Sequence, residues 1–180
     1  MQAKESAAAG ARPLLMVDID GVISLFGPRL REIPGGSLDG RFHSIDGTPH
    51  FLSATAAAHL LDLAARFDLV WASGWEERAE EHLPHLLGLP ARLPFLSFPR
   101  GTAGAGAGRV TDAHWKLGSI DAYAGKRPLA WIDDAFNPAC HAWAGARPAP
   151  TLLVQTAPED GLTAREARLL LAWAGQLQAG

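Results

Sequence analysis

One cysteine, one tyrosine and two methionines among 180 residues exclude several explanations at once. Cys140 has no partner for an internal disulfide, so the fold must hold by its core, and a reducing, cytoplasmic setting is expected. Cys140 itself reads as a small buried helix residue rather than a reactive thiol. Excess positive charge is also missing. Sixteen Lys and Arg stand against nineteen Asp and Glu, a net charge of −3, which excludes a global basic field for nucleic acid. No apolar run reaches the length of a bilayer span, and Met1 to Arg12 lack the apolar core of a secretory signal, so no membrane association is expected. What remains, 48% hydrophobic and 19% charged residues, is ordinary globular composition. The length fits one domain, residues 13–180, behind a flexible tail of residues 1–12.

Leu14-Leu15-Met16-Val17-Asp18-Ile19-Asp20-Gly21 is the most informative stretch. An unbroken apolar run predicts a strand, 14–19, buried on both faces of a parallel sheet. Strand side chains repeat with period two, which puts Asp18 and Asp20 on one side. Gly21 permits a sharp turn there. Two carboxylates this close repel, and a cation or a shared proton is needed to hold them.

Strand and helix signals alternate through the rest of the chain. Residues 22–52 contain a hairpin with Asp46-Gly47 at its turn. Ser53 caps a helix to about Arg66, strand 68–72 follows, then helix 76–87 and a short strand 95–98. The Gly/Ala-rich segment within 99–110 reads as a flexible loop; no Gly-Lys-Ser/Thr follows, so it is not a phosphate loop. A helix from Thr111 or Asp112 to about Tyr123, strand 128–132, a helix opened by Asn137-Pro138, strand 151–154 and a last helix behind a Thr163–Glu166 capping box complete the pattern. The expected class is α/β: a three-layer, Rossmann-like parallel sheet with helices on both faces.

Chemistry-bearing residues fall at the carboxyl ends of strands or at helix starts, one edge of such a sheet. They are Asp18 and Asp20, Ser73-Gly74-Trp75, Lys116, and Asp133-Asp134. Each has a structural alternative. Ser73-x-x-Glu76 is itself a capping box, and Asp133-Asp134 could be a turn before the next helix. Lys116 in a first helical turn opposes the helix dipole, which argues for a nearby anion. Its rival Lys126 precedes a strand and so lies at the opposite edge. Four carboxylates, a hydroxyl and an ammonium around one point suit magnesium and a phosphate group. One aspartate could attack phosphorus while another handles the leaving-group proton.

This constellation, in this order, resembles the haloacid dehalogenase (HAD) superfamily of phosphohydrolases over about Leu14 to Ala174. The resemblance implies Asp18 as nucleophile and Asp20 as general acid/base, with the Asp20 backbone carbonyl helping to bind Mg2+. It further implies phosphate binding by Ser73, the Gly74 amide and Lys116, and metal binding by Asp18, Asp20, Asp133 and Asp134. One acid of the last pair would bind directly and the other through water. Leu69–Trp75, Leu129–Asp134 and Arg147–Val154 are similar to a narrower group, the HAD domains of "Swiss army knife" RNA-repair proteins, which implies phosphate removal from RNA ends.

HAD enzymes choose substrates through cap insertions, and both insertion points here are short, 22–52 and 88–112. An essentially capless site suits a nucleic-acid end, or a nucleotide closed in by the hairpin. Arg92, Arg100 and Arg109 stand against one acid, Asp112, in the second segment; Arg29, Arg31 and Arg41 lie in the first. Such a rim would favour a polyanion, although any single arginine could simply be solvated. Arg41, His43, Trp75 and Arg100 are the candidate substrate contacts, with Trp75 and His43 able to stack on a base. A signalling receiver domain is disfavoured because its lysine would come after, not before, the last acids. A phosphotransferase on the same site and a non-catalytic phospho-ligand module remain the alternatives. Leu169, Leu170, Leu171 and Trp173 could serve core or interface, so oligomeric state stays open.

Overall fold

The computed structural model describes residues 12–27, 39–99 and 114–179. The elements run β1 (Leu14–Val17), β2 (Ser24–Leu25), β3 (Gly40–Ile45), β4 (Thr48–Ser53), α1 (Ala54–Ala64), β5 (Asp68–Trp71), α2 (Glu77–Leu87), α3 (Leu117–Ala124), β6 (Leu129–Asp133), α4 (Pro138–Ala146), β7 (Thr151–Gln155) and α5 (Ala164–Ala179). Residues 1–11 of the expected tail, most of the 99–110 loop, and Arg29, Arg31, Arg100, Arg109 and Asp112 lie outside the described residues, whereas Arg12, the last tail residue, is paired with Asp68 at 2.8 Å.

Four parallel strands form the main sheet in the order β5-β1-β6-β7. β1 sits between two neighbours, which explains its continuous apolar sequence. Its alternate residues serve two cores. Leu15 and Val17 face α1, α2 and α5 through Leu60, Leu63, Leu83 and Leu170. Leu14 and Met16 face α3 and α4 through Ile120, Ala124 and Cys140. Helices therefore cover both faces, and each large buried apolar side chain contributes about 1.5–3 kcal/mol. Cys140 is fully buried, as its small apolar character suggests, and burial pushes its thiol pKa up.

A second sheet has the order β2-β4-β3, and Ser24 on β2 forms a backbone bridge with Asp20, three residues beyond the end of β1. Asp46 and Gly47 both take positive φ, the geometry of a tight hairpin turn. The side chain of Ser53 accepts from the Ala56 N–H, as expected of a cap. Asn137 caps α4 with Pro138 in its first turn. In the capping box of α5, the Glu166 carboxylate accepts from the Thr163 N–H at 3.1 Å.

Several expectations are corrected. β1 ends at Val17, not residue 19, because the Asp18 carboxylate accepts from the Ile19 N–H at 2.8 Å and the chain turns. Strand 95–98 is reduced to one bridge between Phe95 and Trp71. Two prolines, Pro94 and Pro99, flank it and supply no N–H for a longer ladder. α3 begins at Leu117, five or six residues later than expected. Among the last-helix residues, Leu170 is buried while Leu169 and Leu171 are exposed.

The Ser73–Glu76 capping box does not form. α2 starts at Glu77, and Glu76 sits at φ 49° with its carboxylate accepting from the Phe98 N–H at 3.0 Å. Glu76 thus tethers the 95–98 segment rather than capping its own helix.

Candidate active site

β1, β5 and β6 deliver Asp18, Ser73 and Asp133 to the same edge of the sheet. The Asp18 N–H still donates to the Ile132 carbonyl at 3.0 Å, and the Ala72 N–H to the Val17 carbonyl at 2.8 Å. The sheet ladder therefore runs up to the site and fixes its backbone.

Lys116 stands between two of these acids. Its Nζ lies 2.7 Å from Asp18 Oδ2 and 2.7 Å from Asp133 Oδ2, and all three residues are buried. The anion expected from a lysine at a helix start is thus present twice over. The ammonium offers three donors, and among the described residues it donates to Asp133 and forms an ion pair with Asp18. Asp133 is further held by the Trp131 indole N–H at 3.1 Å on Oδ2 and the Ala135 N–H at 3.1 Å on Oδ1.

Asp134 joins them. One carboxylate oxygen each from Asp18, Asp133 and Asp134 lies within 4.8 Å of the others. Burial pushes the Asp18 pKa up to about 7; Lys116 opposes the rise and Asp133 adds to it. Burial and then Asp133 also raise Asp134. Three carboxylates sharing one ammonium are short of positive charge, and an all-oxygen set of this kind can hold a hard divalent cation.

Gly21 packs against this cluster. A Cβ there would stand 2.6 Å from the Asp134 Cβ, and its φ is +74°. Its carbonyl accepts from the Thr156 hydroxyl at 2.8 Å. Gly21→Ala is therefore expected to destabilise the protein by about 1–2 kcal/mol and to displace Asp134. Thermal melts with and without Mg2+ check this: the variant should lose most of any stabilisation by the ion.

Asp20 falls outside the carboxylate cluster, contrary to the expectation of a carboxylate pair facing one ion. The chain has left the strand before Asp20, so period two no longer applies. Its Oδ2 instead accepts from the Trp75 indole N–H at 3.0 Å. Any part of Asp20 in metal binding then rests on its backbone carbonyl.

Ser73 is buried, and its Oγ faces the Trp75 N–H at 3.5 Å. A Cβ on Gly74 would lie 3.6 Å from the Trp115 ring, so the 73–74 turn and the Lys116 turn pack together. Trp75 is only 7% exposed and meets the His50 ring edge-on at 4.8 Å, so its face is not open to a base. His43 lies across the hairpin from His50, on the face that also carries Arg41. Arg41 is exposed and His43 half-buried.

Several site residues were not singled out from sequence: Trp131, Thr156, His50, His114 and Trp115. Trp131 carried a usable signal, since two residues before Asp133 on a strand means the same side. Trp115 is 37% exposed, braced edge-on by Phe98 at 4.6 Å, with Lys116 Nζ 5.2 Å from its ring centre. His114 faces Trp131 edge-on at 5.1 Å, and burial lowers its pKa. No helix among the described residues is long and apolar enough to cross a membrane.

No curated protein matches the chain. Residues 14–167, most of its length and every site residue named above, match the family model described as the HAD domain in Swiss Army Knife RNA repair proteins. The match covers well over half of the chain, and the chain belongs to this HAD family.

Proposed function

We propose that the chain is a magnesium-dependent phosphohydrolase that removes phosphate from RNA ends or nucleotides through an aspartyl-phosphate on Asp18. The observation that carries the reading is the buried Lys116 bridging Asp18 and Asp133 beside Asp134. A binding module would have little use for an ammonium held against a buried carboxylate at a sheet edge.

Asp18 and Asp134, with the Asp20 carbonyl, would hold Mg2+. Asp133 already accepts from Trp131, Ala135 and Lys116, so its role is to aim Lys116. When bound, the ion neutralises the crowded carboxylates and the charge on the phosphoryl group. An Asp18 oxygen forms the bond to phosphorus as the ester oxygen leaves. Lys116, the Ser73 hydroxyl and the Gly74 N–H stabilise the equatorial oxygens. Asp20 gives its proton to the leaving oxygen, then takes one from the water that attacks phosphorus and frees Asp18. Transfer to a second alcohol instead of water would make a phosphotransferase; the short insertions around the site favour water.

The exposed, rigidly braced Trp115 beside Lys116 supports a nucleobase-bearing substrate. A base stacked on it contributes about 1–3 kcal/mol. Trp115→Ala is expected to lower kcat/KM on nucleotides and oligonucleotide ends about tenfold, with ribose 5-phosphate unaffected. Phosphate release with Mg2+ across an aryl phosphate, sugar phosphates, mononucleotides and oligonucleotides ending in 3′- or 5′-phosphate tests the whole reading. Strongest release from nucleotides or oligonucleotide ends supports it; preference for sugar phosphates removes the nucleic-acid part.

A further inference from the structure

The Trp75 indole is buried, yet its one polar atom points at Asp20. An indole N–H only donates. At 3.0 Å from Oδ2 it can neither take a proton from that oxygen nor let Oδ2 donate toward it. Oδ2 is thus fixed as an accepting oxygen, and Oδ1 is the one suited to face a leaving group. We propose that Trp75 is a positioning residue for Asp20: it pins Oδ2 and presents Oδ1 as the oxygen that passes a proton to the leaving group. This rests on the phosphohydrolase reading above.

The ring is itself held by the small sheet. His50, on β4, meets it edge-on at 4.8 Å, with 69° between the planes. His50 Nδ1 is hydrogen-bonded to Ser24 Oγ at 3.0 Å. Ser24 is buried on β2 and forms a bridge with Asp20 itself. The Arg78 guanidinium also lies over the ring, 5.8 Å from the indole centre. Asp20, Ser24, His50 and Trp75 thus close a loop of contacts, and the 22–52 insertion braces the acid/base group. This gives β2 and β4 of the insertion a task in holding the site.

The Asp18 oxygen bonds to phosphorus, the phosphorus–oxygen bond to the leaving group breaks, and the Oδ1 proton of Asp20 ends on the leaving oxygen. An alkoxide needs that proton; 4-nitrophenolate leaves without it. kcat/KM covers only steps through this transfer, so it isolates the role of Asp20 as acid.

Trp75→Phe keeps a ring against His50 and removes the N–H. The test compares kcat/KM for 4-nitrophenyl phosphate and for an alkyl phosphate (a sugar phosphate or a nucleotide), in wild type and Trp75→Phe, with Mg2+. The expected result is a loss of about 10- to 100-fold on the alkyl ester and a change under about threefold on the aryl ester. Asp20→Asn should show the same selectivity more strongly. Equal losses on both esters, or no loss on either, would overturn the proposal. Should Trp75→Phe fail to fold, benzothienylalanine at position 75 gives the same comparison, since it replaces the N–H with sulfur at nearly constant shape. If wild type releases phosphate from neither ester, the phosphohydrolase reading falls first. That outcome is separate from selective failure of the variant.

Discussion

Asp18→Asn is expected to lower Mg2+-dependent phosphate release by at least about 10³-fold, or roughly 4 kcal/mol of barrier, while the fold is retained. The amide cannot act as the nucleophile, and the shape of the site barely changes. A second effect runs in the opposite direction. Asp18 is buried, and its pKa is raised from 3.8 to about 7. Between those values the folded metal-free protein binds more protons than the unfolded chain, so its stability falls as pH rises through that window. Removing the charge flattens the fall. Metal-free Asp18→Asn should therefore melt several degrees higher than wild type near pH 8, with the gap closing toward pH 4. Circular-dichroism melts across pH check this, and a lower melting temperature for the variant at pH 8 would contradict it.

Lys116→Met should have the largest effect on stability. The substitution keeps the bulk of the side chain and deletes the one cation that Asp18 and Asp133 share. Breaking a buried pair by removing one partner costs about 3–5 kcal/mol. For a domain of this size that lowers the melting temperature by roughly 6–20 °C. The loss should shrink in acid, where the stranded carboxylates protonate, and Mg2+ should restore part of it. Adding Asp18→Asn to Lys116→Met should cost less than the sum of the two, because the pair is in contact. Thermal melts of the four proteins, with and without Mg2+, read both effects. Activity of Lys116→Met should be lost even where the protein is folded, since an ammonium hydrogen meant for the phosphoryl oxygens is gone.

The parallel sheet and its helices were legible because β1, β5 and β6 are short apolar runs that end at once in polar residues. The same property exposed Asp18, Ser73 and Asp133, each within two residues of a strand end. Lys116 was readable for another reason: a cation at a helix start is mildly unfavourable unless an anion answers it. Where the reading failed, a tertiary contact had overridden a local pattern. Ser73-x-x-Glu76 has capping-box spacing, but Glu76 is recruited by the Phe98 N–H. Asp20 has strand-period spacing from Asp18, but the Asp18 carboxylate turns the chain and Trp75 claims the second acid. The roles of Trp75 and Trp115 were not separable from sequence, since both precede or follow a site residue directly. Burial separates them: Trp75 is 7% exposed and Trp115 is 37% exposed.

In the proposed reaction phosphorus passes through Asp18. Wild type mixed with Mg2+ and a substrate labelled on its phosphate, then quenched in acid within one turnover, should yield label on the peptide containing Asp18. The label should be absent from Asp18→Asn and should decay as free phosphate appears. Phosphate release by wild type with no label at Asp18, or label on another residue, would contradict the account.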